Sequence, residues 1–526
     1  MSASTTYTGL STKTISYQYY PNGSRQTMTT PAGSFSYSFD AAGRPSSMTN
    51  PFSETTSWSY QNNNWLSTQT LGNGATATYT HNALGQVTEL LNQIGSTTIS
   101  DFSSIAYDGV GNRTSVSASI PGATSLNGIT GYSYDTKNQI TQETSTRNGG
   151  FTDNFGYDSA GNPTSFKSVP KAYNANNQQT GTGFSHDGNG NPTNYGGTTL
   201  TFDPENRMSA YGSTLTAGYS GDGLRAWKQN SSGRTYFIYD GIVPVIEMDS
   251  SGSVTATNSF GAAGLVSRRE GSTSIFYSFD SEGNVSQRSN VSGTVVSNYL
   301  FAAHGSVVSG TLTDPFGYKA QFGYYTDNET GLQLLTNRYY DPAAGRFLTR
   351  DPINYSGGIN LYSYVGNMPI TRVDPEGTQV RQDRNFWPGD VPKTPASPPP
   401  VPWQPPDDVY EDALKKIASG TGSGVGPGWK IFPGGKSYDD ALRGLGDMGF
   451  HRFFNPGHWG GTDFEGKIGE HWYHVTIGYP PGLLFNMRAF QMPPNTCPPS
   501  FVEAHYEASK PSSLSHLIDY ASSWLP

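Results

Sequence analysis

Between Phe39 and Val285 the chain runs in short stretches of alternating apolar and polar residues, broken by a recurring turn signature. In Thr235 to Asp240, Tyr236, Ile238 and Asp240 fall on one face of an extended chain, and Thr235, Phe237 and Tyr239 on the other. That period predicts strands. The signature between strands is an aromatic residue, Asp or Asn, small residues, Gly, then Asn or Arg. It reads FDAAGRP from Phe39, YDGVGNRTS from Tyr107, YDSAGNPTS from Tyr157 and HDGNGNPT from His186. FDPENRM from Phe202 and FDSEGNV from Phe279 are close variants, and HNALGQV from His81 is a weaker one. YDTKNQI from Tyr134 and YNANNQQ from Tyr173 lack the glycine. Each copy has the logic of a hairpin: the aromatic ends a strand, the Asp or Asn side chain caps turn amides, and Gly accepts a positive φ. The spacing of Asp108, Asp135, Asp158, Asn174, Asp187 and Asp203 is irregular, which predicts a winding sheet with loops of unequal length and not a fixed-period solenoid.

The pattern changes after Gly377. Residues 388–406 hold nine prolines and are expected to form an extended spacer. Beyond it, helical spacing returns. Tyr410, Leu414 and Ile417 stripe the segment Asp407 to Gly420, and Tyr438, Leu442 and Leu445 stripe the next, which opens on Ser437 with Asp440 in capping-box position. HWYHVTIGY (471–479) and FVEAHYEA (501–508) alternate as strands. Leu514, Leu517, Ile518, Ala521 and Trp524 mark a closing helix.

Composition narrows the class. The 526 residues exceed one ordinary domain, and with 33 Tyr, 63 Gly and only 14% charged residues the chain has the aromatic burial that disordered sequences lack. The single cysteine, Cys497, rules out an intrachain disulfide framework and reads as a structural thiol. No apolar stretch is long enough for a spanning helix, and the first residues carry no leader-like basic and apolar regions. The net charge of −9 argues against a broad nucleic-acid surface.

The densest cluster of motifs runs from Gly317 to Thr378. It contains DNETGL at 327–332, RYYDP at 338–342, GRF at 345–347, RDP at 350–352, NLYSYVGNMP at 360–369 and DPEG at 374–377. Together with the repeats, these motifs resemble the Rhs/YD-repeat family and its repeat-associated core. The resemblance implies a mostly β fold: a cocoon-like YD-repeat β-sheet shell (1–316), a core with a self-cleavage site (317–378), a Pro-rich linker (379–406) and a variable α+β C-terminal domain (407–526). It further implies aspartyl autoproteolysis next to the final DPxG element. Two carboxylates would share a proton there, with Asp341 and Asp351 as the pair and Arg338 or Arg350 as positioning or oxyanion group. The bond cut would be Gly377–Thr378 or the next one. The family commonly has Leu where this chain has Thr378, a small polar residue for the cleavage pocket.

Six of the nine histidines lie in the last stretch: His451, His458, His471, His474, His505 and His516. Some nucleases use one His as base and another as acid. In that reading His474 and Thr476 share a strand face, His458 or His505 is the second partner, and Arg452 or Lys467 holds phosphate. His471 and His474 fall on opposite strand faces, and there is no HExxH or paired CxxC, so no zinc site is expected and no cofactor is implied. Two functional classes follow. One is a secreted or surface-displayed toxin carrier, exported by a route not visible here, with a cognate immunity protein and an export system as partners. Nucleic acid enters only if the cargo is a nuclease. The other is a non-enzymatic adhesion protein that binds glycans or cell surfaces through its sheet.

Overall fold

The computed structural model describes residues 2–382 and, further on, the strands Trp429–Pro433, His451–Phe453, Gly461–Ile468, His471–Gly478 and Asn486–Gln491. The chain divides into two units, residues 1–397 and 398–526. The helices expected over 407–420, 437–449 and from Ser512, the strand 501–508 and the proline spacer lie outside the described residues. Among the described residues no helix is long and apolar enough to cross a membrane.

The first unit is an antiparallel meander in which each strand pairs with its sequence neighbours. Sixteen strands, from Ser2–Thr5 to Val169–Pro170, form one sheet, and thirteen, from Phe184–His186 to Val295–Asn298, form a second. The repeat signature produces its turns as the residues dictate. In the first copy Asp40 Oδ1 accepts from Ala42 N at 3.0 Å and Arg44 N at 2.9 Å, while the backbone closes through Gly43 N to Asp40 O. The same bonds recur at Asp108 and Asp187, and at Asp158 the carboxylate accepts from Asn162 N. Burial raises the Asp108 carboxyl, but bonds from Asn112 and from the amides of the turn outweigh it and hold the group low. Gly43 has φ +77°, and in the copies without glycine an asparagine takes that conformation: Asn138, Asn177 and Asn206 have φ between 60° and 64°. Turns also bond to one another along the sheet edge. Asn112 Nδ2 donates to Asn138 Oδ1, Asn162 to Asn177, and Asn191 to Asn206, at 2.8–2.9 Å.

Alternation places the layers. Tyr236 and Ile238 on Gly233–Asp240 join Ile15, Tyr17, Met28 and Phe35 of the first sheet in one core. Phe237, facing the other way, packs with Tyr325 of the core segment, in one cluster with Phe316. Central strands of the second sheet are therefore buried on both faces, as in Val243–Met248, where every residue but the first is buried. Cross-sheet polar ties accompany this packing: Arg25 pairs with Asp240, Ser100 Oγ donates to Gln287, and Asn92 donates to Phe279 O. The core segment adds the four-stranded sheet Tyr325–Asp327, Leu332–Leu335, Arg338–Asp341 and Arg346–Phe347. The second unit holds a five-stranded antiparallel sheet in the order 429–433, 486–491, 471–478, 461–468, 451–453.

Candidate functional site

The core sheet positions Arg338. Its strand is fixed by Leu332–Leu335 on one side and Arg346–Phe347 on the other, and its guanidinium lies 3.6 Å from the centre of the Phe347 ring. The side chain is 3% exposed. So buried a cation requires anionic or carbonyl partners, and it has four. Nη2 reaches Asp351 Oδ2 at 2.8 Å and Asp374 Oδ2 at 3.4 Å, Nη1 donates to Leu361 O at 3.1 Å, and Nε donates to Gly377 O.

Each carboxylate is held on its second oxygen. Asp351 Oδ1 accepts from Ile353 N at 3.0 Å. Asp374 Oδ1 accepts from Thr378 N at 2.9 Å and Gln379 N at 3.0 Å, so one oxygen touches the nitrogens of two successive peptide bonds. The segment is pinned from the opposite side by Thr336 Oγ1 donating to Pro375 O and Asn337 donating to Glu376 O. Gly377 (φ +67°) passes so close to the 335–338 turn that a Cβ would lie 2.4 Å from Leu335 O; only glycine fits there. Burial pushes both Asp351 and Asp374 above the ordinary carboxylate range, and Arg338 pulls both back. One cation thus faces two buried acids, and the charge of Asp374 adds to the rise of Asp351.

The pair expected from the motifs, Asp341 with Asp351, is not the pair gathered on Arg338. Asp341 is on the same short strand as Arg338, and residues that far apart on a strand face opposite ways. Its Oδ2 accepts from Tyr195 Oη at 2.7 Å and its Oδ1 from Ala343 N at 2.8 Å, so it caps a turn and ties the core to the second repeat sheet. Arg350 lies against the repeat turn at Gly190, where a Cβ would meet its Nε at 2.5 Å. Arg338, Asp351, Gly377 and Thr378 are brought together. Asp374, the first residue of the DPEG element and not named in the expected pair, completes them.

In the second unit His474 and Thr476 are on the central strand. His474 is opposite Glu465 on one neighbouring strand and Phe490 on the other, and Thr476 is opposite Asp463 and Arg488. Arg452 and Lys467 are on the two strands beyond, opposite Phe464 and Trp472 respectively. His458 and His505 lie outside the described residues.

Hairpin repeats with Asp-capped turns, wound as two long sheets around a DNETGL…RYYDP…DPEG core, define a YD-repeat β-shell protein. The chain belongs to the teneurin YD-shell family, whose model matches residues 94–370; an RHS repeat model also matches residues 39–76. It is 30% identical over 301 residues to the tRNA3(Ser)-specific nuclease WapA of Bacillus spizizenii, covering 55% of this chain and 12% of that protein. It is 30% identical over 164 residues to double-stranded DNA deaminase toxin A of Burkholderia cenocepacia, covering 31% of this chain and 11% of that toxin. Among solved structures, TcdB2-TccC3 without its hypervariable C-terminal region superposes with a TM-score of 0.59 at 19% identity. That match covers 70% of this chain and 21% of the other, and shows the shared fold. The matched part thus spans about an eighth or less of these two relatives' own length.

Proposed function

We propose that this chain is a Rhs-type polymorphic toxin carrier that cuts itself next to its DPEG element and so frees its C-terminal domain from the shell. The observation that carries the reading is the gathering of Asp351, Asp374 and the Gly377 carbonyl on one buried guanidinium. The ionised carboxylate takes a proton from water as the water oxygen bonds to the peptide carbon. The neutral one gives its proton toward the departing nitrogen, the C–N bond breaks, and a new carboxyl and a new amine result. The bonds that Asp374 Oδ1 accepts from Thr378 N and Gln379 N favour it for the leaving-group side. That leaves Asp351 for the water. Arg338 steadies the charge at the carbonyl. The bond is Gly377–Thr378 or Thr378–Gln379.

Relatives named as a tRNA nuclease and a DNA deaminase toxin support a toxic cargo. For this chain we propose the His474 and Thr476 strand, with Arg452 and with His458 or His505, as the effector's working face, nuclease-like in chemistry. A cognate immunity protein, an export system and a secreted or surface location belong to the same proposal.

The test is the intact mass of the purified, denatured chain. Wild type should yield a C-terminal fragment beginning at Thr378 or Gln379. Asp351→Asn and Asp374→Asn should each remain uncut, with unchanged circular dichroism. A single full-length mass for wild type would refute self-cleavage.

A further inference from the structure

Gly357 ends the short 3-10 turn Asn354–Gly357, in a surface loop that begins and ends at the cleavage site. The loop is strapped at its base by Asp351 N donating to Leu361 O and Asn354 N donating to Asp351 O. Residues 354–359 are exposed, so the loop contributes little to the core. Gly357 nevertheless lies directly against the Asp351 carboxylate. A Cβ on Gly357 would stand 2.4 Å from Asp351 Oδ2, 3.0 Å from its Cγ and 3.5 Å from Thr378 O. The backbone there does not demand glycine, since Gly357 is absent from the positive-φ residues. What excludes a side chain is the carboxylate. Asp351 cannot simply swing aside, because Oδ1 is held by Ile353 N and Oδ2 by Arg338 Nη2.

We propose that Gly357 is a positioning residue for self-cleavage: its bare Cα leaves the space that the Asp351 carboxylate occupies on Arg338, beside the Thr378 carbonyl that the same Cβ would approach. The inference rests on Asp351 being one of the two cleaving carboxylates. Any side chain at 357 pushes Oδ2 off the guanidinium and away from the peptide, and sub-ångström misplacement of a reacting group is costly in rate.

The experiment follows cleavage of the full chain by intact mass across a pH series, for wild type, Gly357→Ala, Gly357→Val, Ser356→Ala and Asp351→Asn. Gly357→Ala should slow cleavage on the order of 10- to 100-fold, and Gly357→Val more. The acidic limb of the rate profile should move to higher pH, because Asp351 loses part of the pull of Arg338. Thermal melting should stay at the wild-type temperature, and Ser356→Ala, in the same loop, should cleave normally. A wild-type rate in Gly357→Ala, or a slower rate with an unmoved pH profile, overturns the assignment. Continued cleavage in Asp351→Asn is a different failure: it removes the aspartyl reading itself.

Discussion

At the scale of single residues, the choice between Asp341 and Asp374 decides the chemistry. Both stand in Asp-Pro dipeptides within one motif-dense segment, and local sequence treats them alike. What separates them is strand geometry and tertiary reach. Asp341 shares a strand with Arg338 but faces away to Tyr195, whereas Asp374 arrives from the far end of the segment onto the guanidinium. Asp341→Asn should therefore cleave at close to the wild-type rate. Its cost is in stability, about 1 kcal/mol for a weakened turn cap and tyrosine bond, read from urea unfolding. Abolished cleavage in a normally folded Asp341→Asn would restore the original pairing. Part of this was legible in the sequence: the strand period alone places Arg338 and Asp341 on opposite faces. The approach of Asp374 was not, because it depends on Gly377 fitting beneath Leu335 O and on the clamp from Thr336 and Asn337.

At the scale of the repeat hairpin, the sequence announced nearly everything local. The aromatic, the capping Asp and the positive-φ glycine occur where the signature put them, and in most copies the register shifts just before the aromatic, as between Ser38 and Phe39. Copies without glycine make the same turn, because Asn138 and Asn177 supply the same left-handed backbone. The ladder of turn-to-turn bonds was not legible, since it depends on how neighbouring hairpins stack. Position 43 tests the division between backbone and contact, because a Cβ there meets nothing within 4 Å. Gly43→Asn should leave stability within about 0.5 kcal/mol of wild type, while Gly43→Val should cost about 1–2 kcal/mol from the β-branched side chain at positive φ. Equal unfolding midpoints for the two variants would show that backbone conformation does not govern this turn.

At the scale of the whole first unit, buried charges brace the layers, and their protonation sets the pH range in which the shell is firm. Asp327, fully buried, joins the core to the second sheet through Arg225 at 2.5 Å and Lys228 at 2.9 Å. Burial opposes its charge, but these cations hold its carboxyl down to about 2. The folded chain thus binds this proton less tightly than the unfolded chain does. Its contribution is present above the ordinary value of 3.8 and is lost as pH falls toward about 2. Glu143 works in the opposite direction. It lies on the first sheet and accepts from Ala303 N at 2.8 Å. Burial, with Asp153 and Glu282 nearby and only Lys167 and that amide to offset them, raises it from 4.5 to about 8. Its contribution is complete below 4.5 and disappears as pH rises through about 8. Asp280, beside Glu282 in a buried repeat turn, is raised in the same sense. Stability should therefore peak at about pH 4, between the ordinary values of the Asp327 and Glu143 carboxyls, 3.8 and 4.5. Glu143→Gln keeps the acceptor for Ala303 without the charge, so it should flatten the alkaline limb and gain roughly 1–3 kcal/mol over wild type at pH 8, with little change at pH 5. Asp327→Ala leaves Arg225 buried and unpaired and should cost about 3–5 kcal/mol at neutral pH. Urea unfolding of the three proteins at pH 4, 5, 7 and 8 distinguishes the two limbs. If wild type and Glu143→Gln lose stability in parallel between pH 5 and 8, the alkaline limb arises elsewhere, and the contact between Glu143 and Ala303 is not what loosens the shell.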